Sequence, residues 1–192
     1  MATGDGGSGE AWPASALWDY AVALYASPGA AAACLALQDR RGADVSLLLL
    51  ACWLGATGRE PDAKRLAEVR ERAAAWQEGL VRPLREARRR LKAVIPTLDE
   101  PLRPPLAATR AGLAAVELDL ERGELLLLES CVRSEATASV PRGMALTTRM
   151  LWHFVATDLG DDPAVRVLLA TAFPEGESAG AAPTGPAPSN RP

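Results

Sequence analysis

The sequence predicts an all-α protein: a single compact helical bundle of five to seven helices around a buried central helix, with disordered termini. Three observations predict it. Apolar residues recur at spacings of three and four along most of the chain, the period of a helix with one buried face. Hairpin dipeptides and alternating polar and apolar residues, the marks of strands, are missing. Between Val45 and Leu54 only Ser46 is polar, so that helix is apolar on every side and belongs inside a bundle. A chain of 192 residues is ample for one domain and short for two.

The central helix has clear ends. Gly42 suits the left-handed conformation that closes a preceding helix. Asp44 can accept hydrogen bonds from the free N–H groups of the next helix and complements its dipole. The apolar run is far shorter than the roughly 20 residues of a membrane-spanning helix. Burying each large side chain from Leu47 to Leu50, and Trp53, contributes about 1.5–3 kcal/mol.

The other elements follow in order. Residues 1–11 are rich in Gly and small side chains and read as a disordered segment. Ser15 is placed to cap a first helix carrying Leu17, Trp18, Ala21, Val22 and Tyr25, which Ser27-Pro28-Gly29 ends. A second helix, Ala30 to about Arg40, offers Ala31, Cys34, Leu35 and Ala36 for close contact. The central helix is third, closed by Gly55 and Gly58. Pro61 begins a long fourth helix with a stripe of Leu66, Val69, Ala73, Trp76, Leu80, Leu84, Ala87 and Leu91, and Pro83 predicts a kink within it. Pro96, Pro101, Pro104 and Pro105 predict a turn. The fifth helix, about Leu106 to Arg133, places Leu113, Val116, Leu120 and Leu127 inward and presents acidic residues. Its short connection predicts antiparallel pairing with the fourth helix. Thr137 to Gly143 reads as a loop, Leu146 to Asp158 and Pro163 to Ala172 as further helices, and 174–192 as a disordered Pro/Gly/Ala tail. The helical domain thus spans 12–173.

Composition excludes several functions. A net charge of −3 opposes a generally basic nucleic-acid binder. The three cysteines are widely spaced, no Cys-x-x-Cys pair exists and the chain has one His, so neither a disulfide framework nor a zinc site is indicated. There is no leader-like N-terminus, and the cytoplasm is the expected location. Cys34 and Cys52 sit in apolar surroundings that make thiols inert. His153 lacks the matching nucleophile or acid that general-base chemistry needs. Trp18, Trp53 and Trp76 fall on core stripes. No catalytic residue, metal or cofactor is expected.

Two charged groups remain as candidate interaction surfaces. The corner Asp39, Arg40, Arg41 and Asp44 crowds polar groups beside the core, with Arg40 expected close to Asp44 across the turn. The second comprises Arg82, Arg85, Arg88, Arg89, Arg90 and Lys92, a strongly positive stretch that could face solvent, phosphates or the acidic fifth helix.

Several segments together resemble a known family: Leu17-Trp18-Asp19-Tyr20, Tyr25-Ala26-Ser27-Pro28-Gly29, Cys34 to Asp39, Asp44 to Leu49 with Trp53 and Gly55, and later Trp76, Val81, Pro83-Leu84-Arg85 and Arg88 to Lys92. The chain is similar, over residues 15–135, to a mostly proteobacterial family of small helical proteins known only as a conserved domain of unknown function. Residues 136–173 depart from it and read as additional C-terminal helices. The resemblance implies a small helical bacterial protein and no activity. The expected function is therefore non-enzymatic, by protein–protein interaction through the two charged surfaces. The alternative is a small-molecule binding protein or enzyme with a polar pocket near Asp39–Asp44, between the first four helices. A third is weak nucleic-acid binding through the basic end of helix four.

Overall fold

A computed structural model describes residues 12–133, 138–139, 141–155, 159 and 161–174. The segments expected to be disordered lie outside these residues, apart from Pro174. The fold is all-α, with α1 (Ala16–Tyr25), α2 (Ala30–Arg41), α3 (Val45–Thr57), α4 (Ala63–Trp76), α5 (Arg82–Val94), α6 (Arg103–Val132), α7 (Met144–Phe154) and α8 (Pro163–Ala172). The stretch 137–143 is not wholly loop: β1 (Arg59–Glu60) pairs antiparallel with β2 (Ala138–Ser139). A pair of two-residue strands is too short to produce an alternating pattern.

Helix α3 is the core. Every residue from Ser46 to Gly55 is buried, Asp44 caps its first turn through Ser46 N, and Gly58 closes it in the left-handed conformation. Gly55 does not end the helix. It lies inside α3 where α7 crosses, and a Cβ there would stand 1.8 Å from Thr147 Oγ1. The α7 segment is therefore part of the core packing.

Elsewhere the buried faces differ from those expected. In α1 the buried side chains are Leu17, Ala21 and Leu24, while Val22 and Tyr25 are exposed. In α2 they are Ala30, Ala33, Cys34 and Leu37, while Leu35 is exposed. The stripe of the fourth helix holds through Ala73, then shifts. Residues Gln77–Val81 form a π-helical turn, with Arg82 N donating to Gln77 O. That turn adds one residue, so Val81 is buried, Leu80 is 42% exposed and Arg85 and Arg88 swing toward α6. Pro83 thus lies in the first turn of α5, where its missing N–H is accommodated by a π turn.

Helix α6, about 45 Å long at 1.5 Å per residue, starts at Arg103, with Pro104 and Pro105 in its first turn where free N–H groups make proline acceptable. It buries Leu125, Leu128, Cys131 and Val132, whereas Val116 is exposed. Glu117, Glu124 and Glu129 are buried too, correcting the expectation of an acidic outer face. Ser15 caps α1 by accepting from Trp18 N at 3.0 Å and donates to Glu129 Oε2 at 2.5 Å. Trp76 Nε1 donates to Leu120 O at 3.0 Å, which, with the Arg85–Glu117 pair further along, fixes the expected antiparallel course of the long hairpin.

Candidate functional site

The N-terminal end of α3 faces a cleft of about 530 Å³ between α1, α2, α5 and α6. Its apolar wall includes Trp18, Val22, Tyr25 and Leu35, with Leu118 from α6 opposite. These are the residues that the shifted helix faces leave partly or fully accessible. Gln38, Asp44, Ser46 and Gln77 lie at its polar end. A second groove of about 450 Å³, lined by Asp39, Gly42, Arg82 and Glu86, continues from there, and the two share Gln38, Asp44, Gln77, Arg85 and Arg89. The result is a trough, apolar at one end and charged at the other.

Behind the polar end sits Glu124, fully buried on α6. Its Oε2 accepts from Ser46 Oγ at 2.8 Å and from Gln77 Nε2 at 2.7 Å. Oε1 is buried and receives no donor. Burial, then the Asp44 charge, pushes Glu124 up to about 8. Burial also raises Asp44, against the opposing hydrogen bonds from Ser46 and Leu47 N–H. Near neutral pH Glu124 thus keeps its proton.

The arginines of α5 close the trough. Arg85 Nε lies 2.8 Å from Glu117 Oε1 and its Nη2 lies 2.7 Å from Glu121 Oε1. Arg88 Nε lies 2.5 Å from Glu117 Oε2. Burial works to raise Glu117, but the hydrogen bonds from Arg88 and Arg85 outweigh it and hold the carboxyl below its ordinary range. Two members of the basic stretch, Arg85 and Arg88, thus face the acidic helix, one of the expected alternatives, and the strongly positive surface is reduced by that much. Arg90 pairs with Glu86 at 2.7 Å, Arg82 stands 3.8 Å from Glu78, and Arg89 and Lys92 are exposed.

The corner also differs from its expected geometry. Arg40 does not reach Asp44: Arg40 Nη2 and Arg41 Nε bind Asp162 at 2.9 and 3.2 Å, fastening α2 to the start of α8. Asp39, Asp44, Arg82, Arg85 and Arg89 are brought to one groove, whereas Arg40, Arg41, Arg88, Arg90 and Lys92 are not part of that groove's lining. The polar groove beside Asp39 and Asp44 is lined from α2, the corner that follows it, the π turn and α5, and α6 lines only the neighbouring apolar cleft. Trp53 stays in the core with the Arg59 guanidinium 5.4 Å from its ring centroid. Burial pushes the Cys34 thiol up to about 11 and raises Cys52 as well. His153 is exposed near the end of α7, and Asp158 lies outside the described residues. Among the described residues no group of three or more His, Cys, Asp or Glu side chains is placed to hold a metal ion.

Ser46 and Gln77 were missed from sequence; Glu117, Glu121 and Glu124 were expected as acidic residues of the helix opposite the basic stretch, but the burial of Glu117 and Glu124 was not. The spacings of four and three that put these three on a single helix face are the signal that could have shown how they sit, with Glu117 and Glu121 paired to Arg85 and Arg88.

The fold and its trough define a class: a small all-α protein with a half-apolar, half-charged cleft at the N-terminus of an enclosed central helix. A sequence profile described as "Protein of unknown function (DUF2390)" matches residues 16–128, and the chain belongs to that family. No curated protein and no solved structure matches it. The matched span contains the whole trough but stops short of α7, which packs on Gly55 of α3.

Proposed function

We propose that this protein works by protein–protein interaction, docking a segment of a partner in the trough. The observation that carries this reading is the continuity of the two grooves across Asp44: exposed apolar side chains on one side and Asp39, Arg82 and Arg89 on the other. An extended or helical segment with both apolar and charged residues matches such a surface, because apolar anchors supply affinity and flanking charges fix register. No helix among the described residues is long and apolar enough to cross a membrane, and the reading places the protein in the cytoplasm.

A second reading is favoured by volume alone. At about 530 Å³ the first groove falls in the range that takes a small molecule. One experiment separates the two. A photo-cross-linking residue is placed at Leu35, at Arg89 or, as a control on α8, at Arg166, and the protein is irradiated in its native host. Docking predicts that Leu35 and Arg89 capture the same partner segment and Arg166 does not. Equal capture from all three positions overturns it. A low-mass compound retained by the purified protein in native mass spectrometry, without cross-links at Leu35 and Arg89, supports the small-molecule reading instead.

A further inference from the structure

The docking reading leaves open which charge the trough selects, and the pairing of its charged side chains narrows the answer. We propose that the docked segment carries an acidic residue directly beside its apolar anchor, the anchor lying among Val22, Leu35 and Leu118 and the carboxylate meeting Arg89, with Arg82 further out in the charged groove. This inference rests on the docking reading.

Three features carry it. First, Arg89 lines both grooves, so it stands where the apolar cleft passes into the charged one. Spacings of three and four along α5 put Arg82, Arg85 and Arg89 on one face, in the groove whose other wall is Gln38, Asp39 and Asp44. Second, most of the other charges are taken. Arg85 and Arg88 are bound to Glu117 and Glu121, and Glu86 to Arg90. Asp44 accepts from Ser46 N at 2.9 Å at the positive end of the α3 dipole, which offsets its charge. Arg89 is exposed and has no ion-pair partner among the described residues, while Arg82 has only Glu78 at 3.8 Å, a pair open to water. Asp39 is also unpaired, but it lines the outer groove alone. The uncommitted charge next to the anchors is therefore a cation. Third, Val22, Leu35 and Leu118 are 50%, 47% and 55% exposed around the cleft. An aliphatic anchor covering them also shields the neighbouring guanidinium from water, so a carboxylate beside it gains more than an ordinary exposed pair. A lysine at that place would instead meet Arg82, Arg85 and Arg89. A nucleic-acid strand binds through a row of phosphate contacts, and Arg82 and Arg89 are the uncommitted cations along the groove.

The test uses the full chain and three blocked peptides, acetyl-Gly-Leu-Xaa-Ser-Gly-amide with Glu, Gln or Lys as Xaa, together with a single-stranded oligothymidylate. Binding is followed by amide shifts at Trp18 and Leu35 at low and at high salt. The Glu peptide is expected to bind about threefold more tightly than the Gln peptide and about tenfold more tightly than the Lys peptide, and the advantage shrinks as salt is raised. Arg89→Glu reverses the order of the Glu and Lys peptides. Lys92→Glu, the same change of charge on α5 but outside both linings, keeps it. A preference for Lys, an unchanged order in Arg89→Glu, no shift from any peptide, or tighter binding of the oligothymidylate than of the Glu peptide each overturns the proposal. Equal binding of all three peptides at the cleft overturns the acid preference and leaves docking standing. Failure of the docking reading shows separately, as absent capture by a cross-linker at Leu35, a position that keeps Arg89 in place.

Discussion

Replacing Glu124 by Gln tests the buried proton through stability alone. The native carboxyl is raised to about 8 against an ordinary value of 4.5, so folding favours the protonated form. The sign follows: this contribution is present in full below the unfolded value and is lost as pH rises through the folded one. Linkage then gives a fall of about 3 kcal/mol between pH 5.5 and 8.5, with a steepest slope near 1.4 kcal/mol per pH unit, carried by the Asp44–Glu124 pair as a unit. Gln cannot titrate, so the variant loses most of this slope across the same window, and any smaller fall that remains belongs to Glu121 and Asp44, which burial also raises. Glu117 and Glu129 are shifted the other way, so their contributions are lost only as pH falls toward the acid range, outside this window. Urea unfolding followed by Trp fluorescence measures both proteins at half-unit pH steps. A wild type whose stability is level from pH 5.5 to 8.5, or a Gln variant with the same slope, refutes a protonated Glu124.

Gly55→Ala should cost about 1–3 kcal/mol in a thermal or urea melt, although Ala is ordinarily the better helix former, because the new methyl meets Thr147 and the Gly143 carbonyl. A neutral or stabilising result would mean that α7 does not press on α3 there. A double-mutant cycle between Arg85→Ala and Glu117→Ala should show coupling of about 1–2 kcal/mol, above the usual exposed pair, since the side chains are only 19% and 8% exposed. Additive effects would show the pair to be worth no more than a surface contact. A chain ending after Arg133 removes α7 and should lose cooperative unfolding and bind a hydrophobic dye, because the α3 face at Gly55 loses its cover. A sharp melt in the truncated chain would show that the family-matched span folds alone.

The fold class and the central helix were legible because they depend on strong, local signals. An apolar run after Asp44 needs no partner to be recognised, and Ser15, Asp44, Gly42 and Gly58 act within one turn of their own helices. The face of α5 was less legible because a single inserted residue in the π turn rotates the helix after it by roughly one helical step of about 100°. Leu80, expected inward, is thereby exposed, and Arg85 and Arg88 take the inward side. Asp162 illustrates a different limit: as a residue before proline it reads as a helix cap, and nothing local reveals that it also holds Arg40 and Arg41 from more than a hundred positions away.

The cleft arises from those same departures. Val22, Tyr25 and Leu35 satisfy helical periodicity, yet the close packing of α1 and α2 uses smaller neighbours, Ala21, Ala30 and Ala33, and leaves the larger side chains at the rim. On the other wall, the π turn brings Arg85 and Arg88 against α6, where they neutralise Glu117 and Glu121, while Glu124 is held by Ser46 and Gln77 instead. A straight α-helix through Gln77–Val81 would turn the arginines away from that seam and leave Glu117 buried and uncompensated, which costs several kcal/mol. The irregular turn, the arginine seam and the protonated Glu124 are therefore one structural solution, and the trough lies beside it.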